Sequence, residues 1–339
     1  MTVHISDTDE SPIAAPESVG KPTARTRLRR ATWLPAVATS VVLFVLGGVL
    51  SPGYATWENL NDIVAVAAIL AIAAAGQTLV IIGGDFGIDL SIGAVMSLTA
   101  VVGYMVMSGG SSMLAVAVIV VLVLGGVFGL LNGLIVTVFR LPALVVTLGT
   151  LVIASGATFA IAQGGTPAGS VPSALLNLSS ASIGGVRPVT VIAIVVVGLL
   201  ALFMKRSRFG QQLLLVGANR EAARLSGIPV RRVVVTAFVA AGMLAGLAGI
   251  LLLGYAGTAN LSLGADYQIL TISAAVIGGA ALAGGDGNVL RTAAGAIALQ
   301  VLTTFLLTVG VGNALRQIVT GLILLALLMF NSRTPKLRA

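Results

Sequence analysis

The sequence holds no cysteine, a single histidine and very little charge, and each shortage closes off a class of function. Without cysteine there is no disulfide framework, no thiolate nucleophile and no cysteine metal site. The histidine, His4, stands in a polar N-terminal stretch, so metal and histidine-base chemistry lack raw material. Charged residues make up 9% of the 339, against about a quarter in an ordinary soluble domain. None of the lysines, Lys21, Lys205 and Lys336, is followed by Ser or Thr. A Walker A phosphate loop is therefore absent, and the polypeptide does not hydrolyse nucleotide by itself. The lack of a Gly-x-Ser-x-Gly elbow, with the missing Cys and His, also argues against an enzyme embedded in the membrane.

What the sequence has in abundance is apolar surface: 57% of residues are apolar and the mean hydropathy is +1.08. The apolar runs are long and continuous, which favours spanning helices over the two-residue alternation of a membrane barrel. Ten such segments follow one another: 34–51, 59–82, 90–108, 113–138, 142–162, 188–204, 233–255, 267–283, 289–309 and 314–330. The expected fold is all-α, a polytopic membrane bundle of about ten transmembrane helices. Residues 1–30 are polar, contain proline and lack periodicity, so they read as a disordered cytoplasmic tail. The transmembrane domain covers 31–332, with a large cytoplasmic loop at 205–232, and 333–339 form a second cytoplasmic tail.

The net charge of +8 and the pI near 10.8 would in a soluble protein raise nucleic-acid binding. Here the basic residues lie in loops between apolar runs, the distribution that orients membrane proteins. Lys21, Arg25, Arg27, Arg29 and Arg30 precede the first run, and Arg333, Lys336 and Arg338 close the chain. Lys205, Arg206, Arg208, Arg220, Arg224, Arg231 and Arg232 crowd the loop between segments six and seven. Ten crossings put all three clusters, with Arg140 and Arg291, on the cytoplasmic side. Only Arg187 and Arg316 then fall outside, and the Gly-, Ser- and Pro-rich stretch 163–187 becomes the longest outer loop.

Three interruptions carry candidate function. The first is Gly83-Gly84-Asp85-Phe86-Gly87-Ile88-Asp89-Leu90-Ser91-Ile92-Gly93, two carboxylates between apolar runs. A charge at mid-bilayer costs ~2.5–3.5 kcal/mol on insertion scales, and irregular backbone at that depth needs protein or a water-filled cavity beside it. One reading is a turn at the membrane surface, with Asp89 or Ser91 capping the next helix. The other is a gate or pathway wall at the inner mouth. The second interruption is the central loop, where Asn219 is placed to cap a short helix ended by Gly227 and barred from continuing by Pro229. Its small face, Ala222, Ala223 and Ser226, suits docking in another protein's groove, while a plain basic anchoring loop is the alternative. The third is the run Ile277-Gly278-Gly279-Ala280-Ala281-Leu282-Ala283-Gly284-Gly285-Asp286-Gly287, where Gly285 and Gly287 around Asp286 mark a tight turn between segments eight and nine. Separately, Gly125, Gly129 and Gly133, and Gly242 and Gly246, recur every fourth residue, the spacing that lets membrane helices pack backbone to backbone.

These residues resemble the inner-membrane permease subunits of bacterial ABC importers, in the ribose/monosaccharide group, over about 40–330. Gly87-Ile88-Asp89-Leu90-Ser91-Ile92-Gly93 is similar to the family's "GIDLSVG" block. Gly129-Leu130-Leu131-Asn132-Gly133, then Leu141-Pro142 and Val146-Thr147-Leu148-Gly149, resembles its "GLxNG…P…xTLG" block. Asn219 to Gly227 resembles "NxxAARLSG", and Ala274–Gly279 with Gly284–Gly287 resembles the late "AAVxxGGxxxxGGxG" block. Gln268 stands where the family usually carries an acid, and Thr303-Thr304 where it frequently carries Asn-Gly.

The resemblance implies a type II ABC importer permease with no cofactor and no metal site, in the bacterial inner or plasma membrane, both termini cytoplasmic. It implies a second permease copy, cytoplasmic ABC ATPase subunits and an extracytoplasmic sugar-binding protein as partners, lipid around the spans, and no nucleic acid. Asn219, Arg220, Glu221, Ala222, Ala223, Arg224, Leu225, Ser226 and Gly227 would form the ATPase-coupling loop. Asp85, Asp89, Ser91, Asn132 and Thr147 are the pathway or gate candidates. The implied cargo is a ribose- or xylose-like monosaccharide, with a branched-chain amino acid or a nucleoside as the alternatives. A proton-coupled carrier would need a charged relay inside the spans, for which few residues qualify beyond Asp85, Asp89 and Asp266.

Overall fold

The computed structural model describes residues 33–107, 110–165 and 171–331; the expected tails 1–30 and 333–339 lie outside the described residues. The described chain is helical throughout: α1 (Trp33–Leu50), α2 (Trp57–Ile82), α3 (Ile92–Met107), α4 (Leu114–Val138), α5 (Ala143–Ile161), α6 (Ser173–Ser179), α7 (Pro188–Arg206), α8 (Arg208–Ala218), α9 (Arg220–Leu225), α10 (Val230–Ala256), α11 (Tyr267–Ile277), α12 (Val289–Thr308) and α13 (Asn313–Asn331). A 3-10 turn, Ser111–Met113, leads into α4. Among the described residues the extended pairing is limited to a bridge between Ile183 and Val186.

The bundle is built around α2, in which every residue from Ala67 to Ile82 is buried. A helix apolar on all sides belongs at the centre of a bundle, and the alanines of this one let α10, α11 and α12 approach it. Against it lies α10, buried without a break from Ala248 to Gly254. The two glycine rows face each other across α4 and α10. A Cβ on Gly125 would run into the Gly242 carbonyl, and one on Gly246 into the Val121 carbonyl. With lipid on the outside, such close approach supplies the attraction that hydrophobicity cannot. The outer faces of α4 and α7 stay apolar, exposing Ile119 and Val123, and Ile194 and Leu199.

Each of the ten apolar segments contains a helix. Among the described residues, six stretches are long and apolar enough to cross a membrane, and four are shorter apolar helices. The largest departure is segment eight: α11 stops at Ile277, so its helix is about 16 Å long at ~1.5 Å per residue, half of a ~30 Å hydrocarbon layer. Residues 278–288 are turns, with Ala281 N–H donating to the Asp286 carbonyl (2.9 Å). The apolar side chains there run on past Gly278-Gly279, but the helix does not.

One end of the bundle collects Arg140, Arg220, Arg224 and Arg231 around a common pocket. At the opposite end Arg187, one of two basic residues expected outside, is accounted for by pairing. Its Nε donates to Asp62 (2.7 Å) and another guanidinium nitrogen to the Ser180 carbonyl. Trp57 and Asn61 donate to the Gly185 carbonyl beside it (2.9 and 2.6 Å).

Candidate functional site

The pocket, of about 660 Å³, is walled by the break after α2, the corner between α4 and α5, α9 and the start of α10. Arg140, Arg220, Arg224 and Arg231 bring positive charge to it, and Asp85 and Glu221 negative charge. The break turns through three consecutive residues of left-handed backbone. Gly84 has φ +82°, and Asp85 and Phe86 adopt φ +54° and +51° without being glycine. Left-handed backbone costs roughly 1–2 kcal/mol for each such residue, so something outside the loop must hold it. Arg220 does so: its guanidinium pairs with the Asp85 carboxylate and donates to the carbonyls of Gly83 (3.3 Å) and Gly84 (3.4 Å).

The residues just before Arg220 press on the same break through backbone alone. Gly217, in the last turn of α8, leaves no room for a side chain. A Cβ there would collide with the Ile82 carbonyl and stand 2.5 Å from the Gly285 nitrogen. A Cβ on Gly84 would stand 2.8 Å from the Gly217 Cα, and one on Gly284 would collide with Gly84. Gly285 N–H closes the junction by donating to the Ile82 carbonyl (3.0 Å). The entry to α9, the break after α2 and the turn after α11 thus meet at one point.

The second half of the break enters the bundle and forms a buried polar knot. Asp89 is 2% exposed and Asn132 and Thr147 are fully buried. The Asp89 carboxylate accepts from Ser91 N–H (2.8 Å) and Ser91 Oγ (2.6 Å), and Ser91 Oγ in turn accepts from Asn132 Nδ2 (3.0 Å). Thr147 Oγ1 accepts from Leu90 N–H (3.1 Å) and donates to the Ile88 carbonyl (3.2 Å). The Gln77 amide, oriented so that both its ends are paired, brackets the Asp89 backbone from α2. Asn132 Oδ1 has no partner. The carboxylate makes a local turn on Ser91 instead of capping α3, which corrects the expectation that Asp89 caps that helix.

The expected short helix is α9. Asn219 Oδ1 accepts from Ala222 N–H (2.9 Å). Gly227, at φ +79°, ends the helix with its N–H on the Arg224 carbonyl and Ile228 N–H on the Ala223 carbonyl (both 3.0 Å). This is the paired terminal arrangement that a left-handed residue permits. The small face differs from expectation: Ala223 turns inward at 4% exposure, while Leu225 projects at 81%. Arg224 and Glu221 pair on the outer surface (2.6 and 2.8 Å).

Of the candidates named from sequence, the structure joins Asp89, Ser91, Asn132 and Thr147 in the knot, and Asp85 with Arg220 in the pocket. Asp85 and Asp89 face different surroundings and do not act as a pair. Sequence reasoning missed Gln77 and Gly217. A lone amide in an alanine-rich run signals a buried partner, so Gln77 had a readable cue. Gly217 had none, because its neighbours come from two distant loops. The amphipathic helix α8, with Leu213 and Val216 buried and Leu215 exposed, was also missed.

A sequence profile described as "branched-chain amino acid transport system / permease component" matches residues 59–328. A probable ABC transporter permease protein, y4mJ, of Sinorhizobium fredii (strain NBRC 101917 / NGR234) is 37% identical over 297 residues, covering 87% of this chain and 88% of that protein. The autoinducer 2 import system permease protein LsrC of Escherichia coli O9:H4 (strain HS) is 32% identical over 300 residues, 88% of this chain and 86% of the relative. Its namesake from Yersinia pseudotuberculosis serotype O:1b (strain IP 31758) is 31% identical over 305 residues, 90% and 85% respectively. No solved structure gives a significant match.

Proposed function

This chain belongs to the family of permease components of branched-chain amino acid transport systems, and from that premise we propose that it forms the solute path of an ATP-driven importer for a ribose- or xylose-like monosaccharide. As a member it is a multi-pass ABC-transporter permease subunit and not an enzyme. Membership also implies an ATPase and a substrate-binding protein as partners. In our reading the chain crosses the membrane ten times, with both termini and α9 in the cytoplasm. The arginines gathered at one end support this, since basic residues stay on that side. Two copies enclose the path, and the binding protein delivers cargo from outside.

The observation that carries the mechanism is the three-loop junction at Gly217. A displacement of α9 by the ATPase has no slack to absorb it there, because backbone meets backbone on Gly84, Ile82 and Gly285. Arg220 carries the same displacement to Asp85 and to the carbonyls before it. The strained turn at Asp85-Phe86 is then the hinge, and the knot from Asp89 to Thr147 passes the movement to α4 and α5 as an inner gate. Coupling of this kind requires two states that ATP and the loaded binding protein favour differently. Exposed Leu225 and the outer side of α9 are the docking surface for the ATPase.

The test is uptake by the complete complex in proteoliposomes, with radiolabelled D-ribose and D-xylose. The doubly substituted Glu221→Lys, Gly227→Pro chain, in which proline cannot adopt the +79° φ of Gly227, still inserts and assembles. It loses at least about tenfold in uptake per ATP hydrolysed, within the ~5–150-fold range of coupling free energies. Unchanged uptake would remove α9 from the mechanism. A second cargo, autoinducer 2, is favoured by the LsrC relatives, and its uptake in the same vesicles, without sugar uptake, decides for it.

A further inference from the structure

A second cavity, of about 270 Å³, lies between the start of α11, the outer part of α12 and the first turns of α13. It is close to the ~300–1,000 Å³ of ordinary small-molecule sites. Asp266, Gln268, Thr303, Arg316, Gln317 and Thr320 line it, together with the apolar Ile269 and Leu270. Its depth follows from helix register. α11 runs against α12 with Gly278 beside Arg291 and Thr292, and Ala274 beside Gly295. Thr303 lies about 21 Å along α12 from Val289 at ~1.5 Å per residue, within the ~30 Å thickness of the hydrocarbon layer. With α12 starting at the cytoplasmic face, as the permease reading has it, the cavity sits inside the membrane, toward the outer side.

Two short helices start beside it. α11 begins at Tyr267, after turns that run from Gly257 to Asp266, and α3 begins at Ile92, after the break. They touch where Gly93 meets the Gln268 backbone: a Cβ on Gly93 would stand 3.0 Å from the Gln268 nitrogen. Irregular backbone at this depth requires protein or a watery cavity, and discontinuous helices that begin inside the membrane form solute sites in other transporters. The chemistry of the lining is specific. Four of the six polar groups are uncharged amides or hydroxyls, each able to donate and accept. Asp266 is already engaged by Gln317 Nε2 (3.4 Å). Gln268 and Thr303 bring two of the uncharged groups from two different helices, α11 and α12.

We propose that this cavity is a solute-binding subsite for a neutral, hydroxyl-rich small molecule of the monosaccharide class, with Gln268 and Thr303 as its specificity-determining residues. The inference rests on the permease reading. It goes further in assigning the cargo's resting place, outside the inner gate.

The absence of cysteine makes the test clean. Gln268→Cys, Thr303→Cys and, as a control in the outer loop, Ile183→Cys are expressed with the full complex in cells and treated with a membrane-impermeant thiol reagent. All three react from outside. Millimolar D-ribose slows the reaction at 268 and 303 by about threefold or more, as occupancy of one site requires, and leaves 183 unaffected; L-leucine does nothing. The proposal is overturned by unreactive 268 and 303, by no protection, by equal protection at 183, or by protection from leucine instead of ribose. Wild-type ribose uptake measured in parallel separates the two readings. Uptake without protection rejects the subsite alone, and protection without uptake rejects the importer reading alone.

Discussion

The two ends of the bundle are held together in different ways. At the arginine-rich end Gly84, Gly217, Gly284 and Gly285 bring three loops into backbone contact, with no side chain between them. At the other end the joints are made by side chains, Arg187 on Asp62 and Ser180, and Trp57 and Asn61 on Gly185. A side-chain joint can rotate, re-pair or admit water when it is strained. A backbone joint can do none of these, so a push on one loop moves the other two. On the proposed mechanism the first end transmits force, and the second, which holds the polar cavity, tolerates change.

The most direct way to break this contrast is to add one methyl group at Gly217. Overpacking costs ~1–3 kcal/mol and occasionally more. Gly217→Ala belongs at the upper end, because the atoms it meets are the Ile82 carbonyl and the Gly285 nitrogen, which cannot turn away. A clear drop in the thermal unfolding temperature of the purified protein, with loss of ATP-driven uptake, is the expected result; a neutral substitution would mean that the junction is loose. Arg187→Ala sharpens the comparison from the other side. Breaking a partly exposed charge pair and its carbonyl bond costs about 1–2 kcal/mol, so the unfolding temperature falls by less. Uptake per ATP should remain at the wild-type value, and a fall in that ratio would show that force also runs through the outer end.

How much of this was readable beforehand depended on whether the signal was local. Gly125, Gly129, Gly133, Gly242 and Gly246 announce close packing because a helix repeats its face within four residues. Asn219 and Gly227 announce α9 because caps act within a turn. The candidates Asp89, Ser91, Asn132 and Thr147 could be named one by one. Their hydrogen bonding to each other could not, since Asn132 and Thr147 arrive on separate helices. The early stop of α11 escaped notice because Ala280, Ala281, Leu282 and Ala283 continue the apolar run, and apolarity reports depth in the membrane rather than helicity. The meeting of Gly84, Gly217 and Gly284 depends wholly on tertiary placement.

The smallest expected change in stability gives the finest division of the inner end. Arg220→Lys keeps a positive charge within reach of Asp85, whose side chain is 68% exposed. Exposed pairs contribute only ~0.2–1 kcal/mol, so the unfolding temperature should scarcely move. What lysine cannot reproduce is the planar fork that serves the carboxylate and the Gly83 and Gly84 carbonyls together. If the fork grips the hinge, uptake per ATP falls by about fivefold, the lower edge of ordinary coupling free energies, while ATP hydrolysis continues. Glu221→Gln, which loosens the exposed pair with Arg224, should leave the unfolding temperature unchanged. A lysine variant that transports like the wild type would shift the whole burden of transmission from Arg220 to the glycine junction, and with it the reason for the left-handed turn at Asp85.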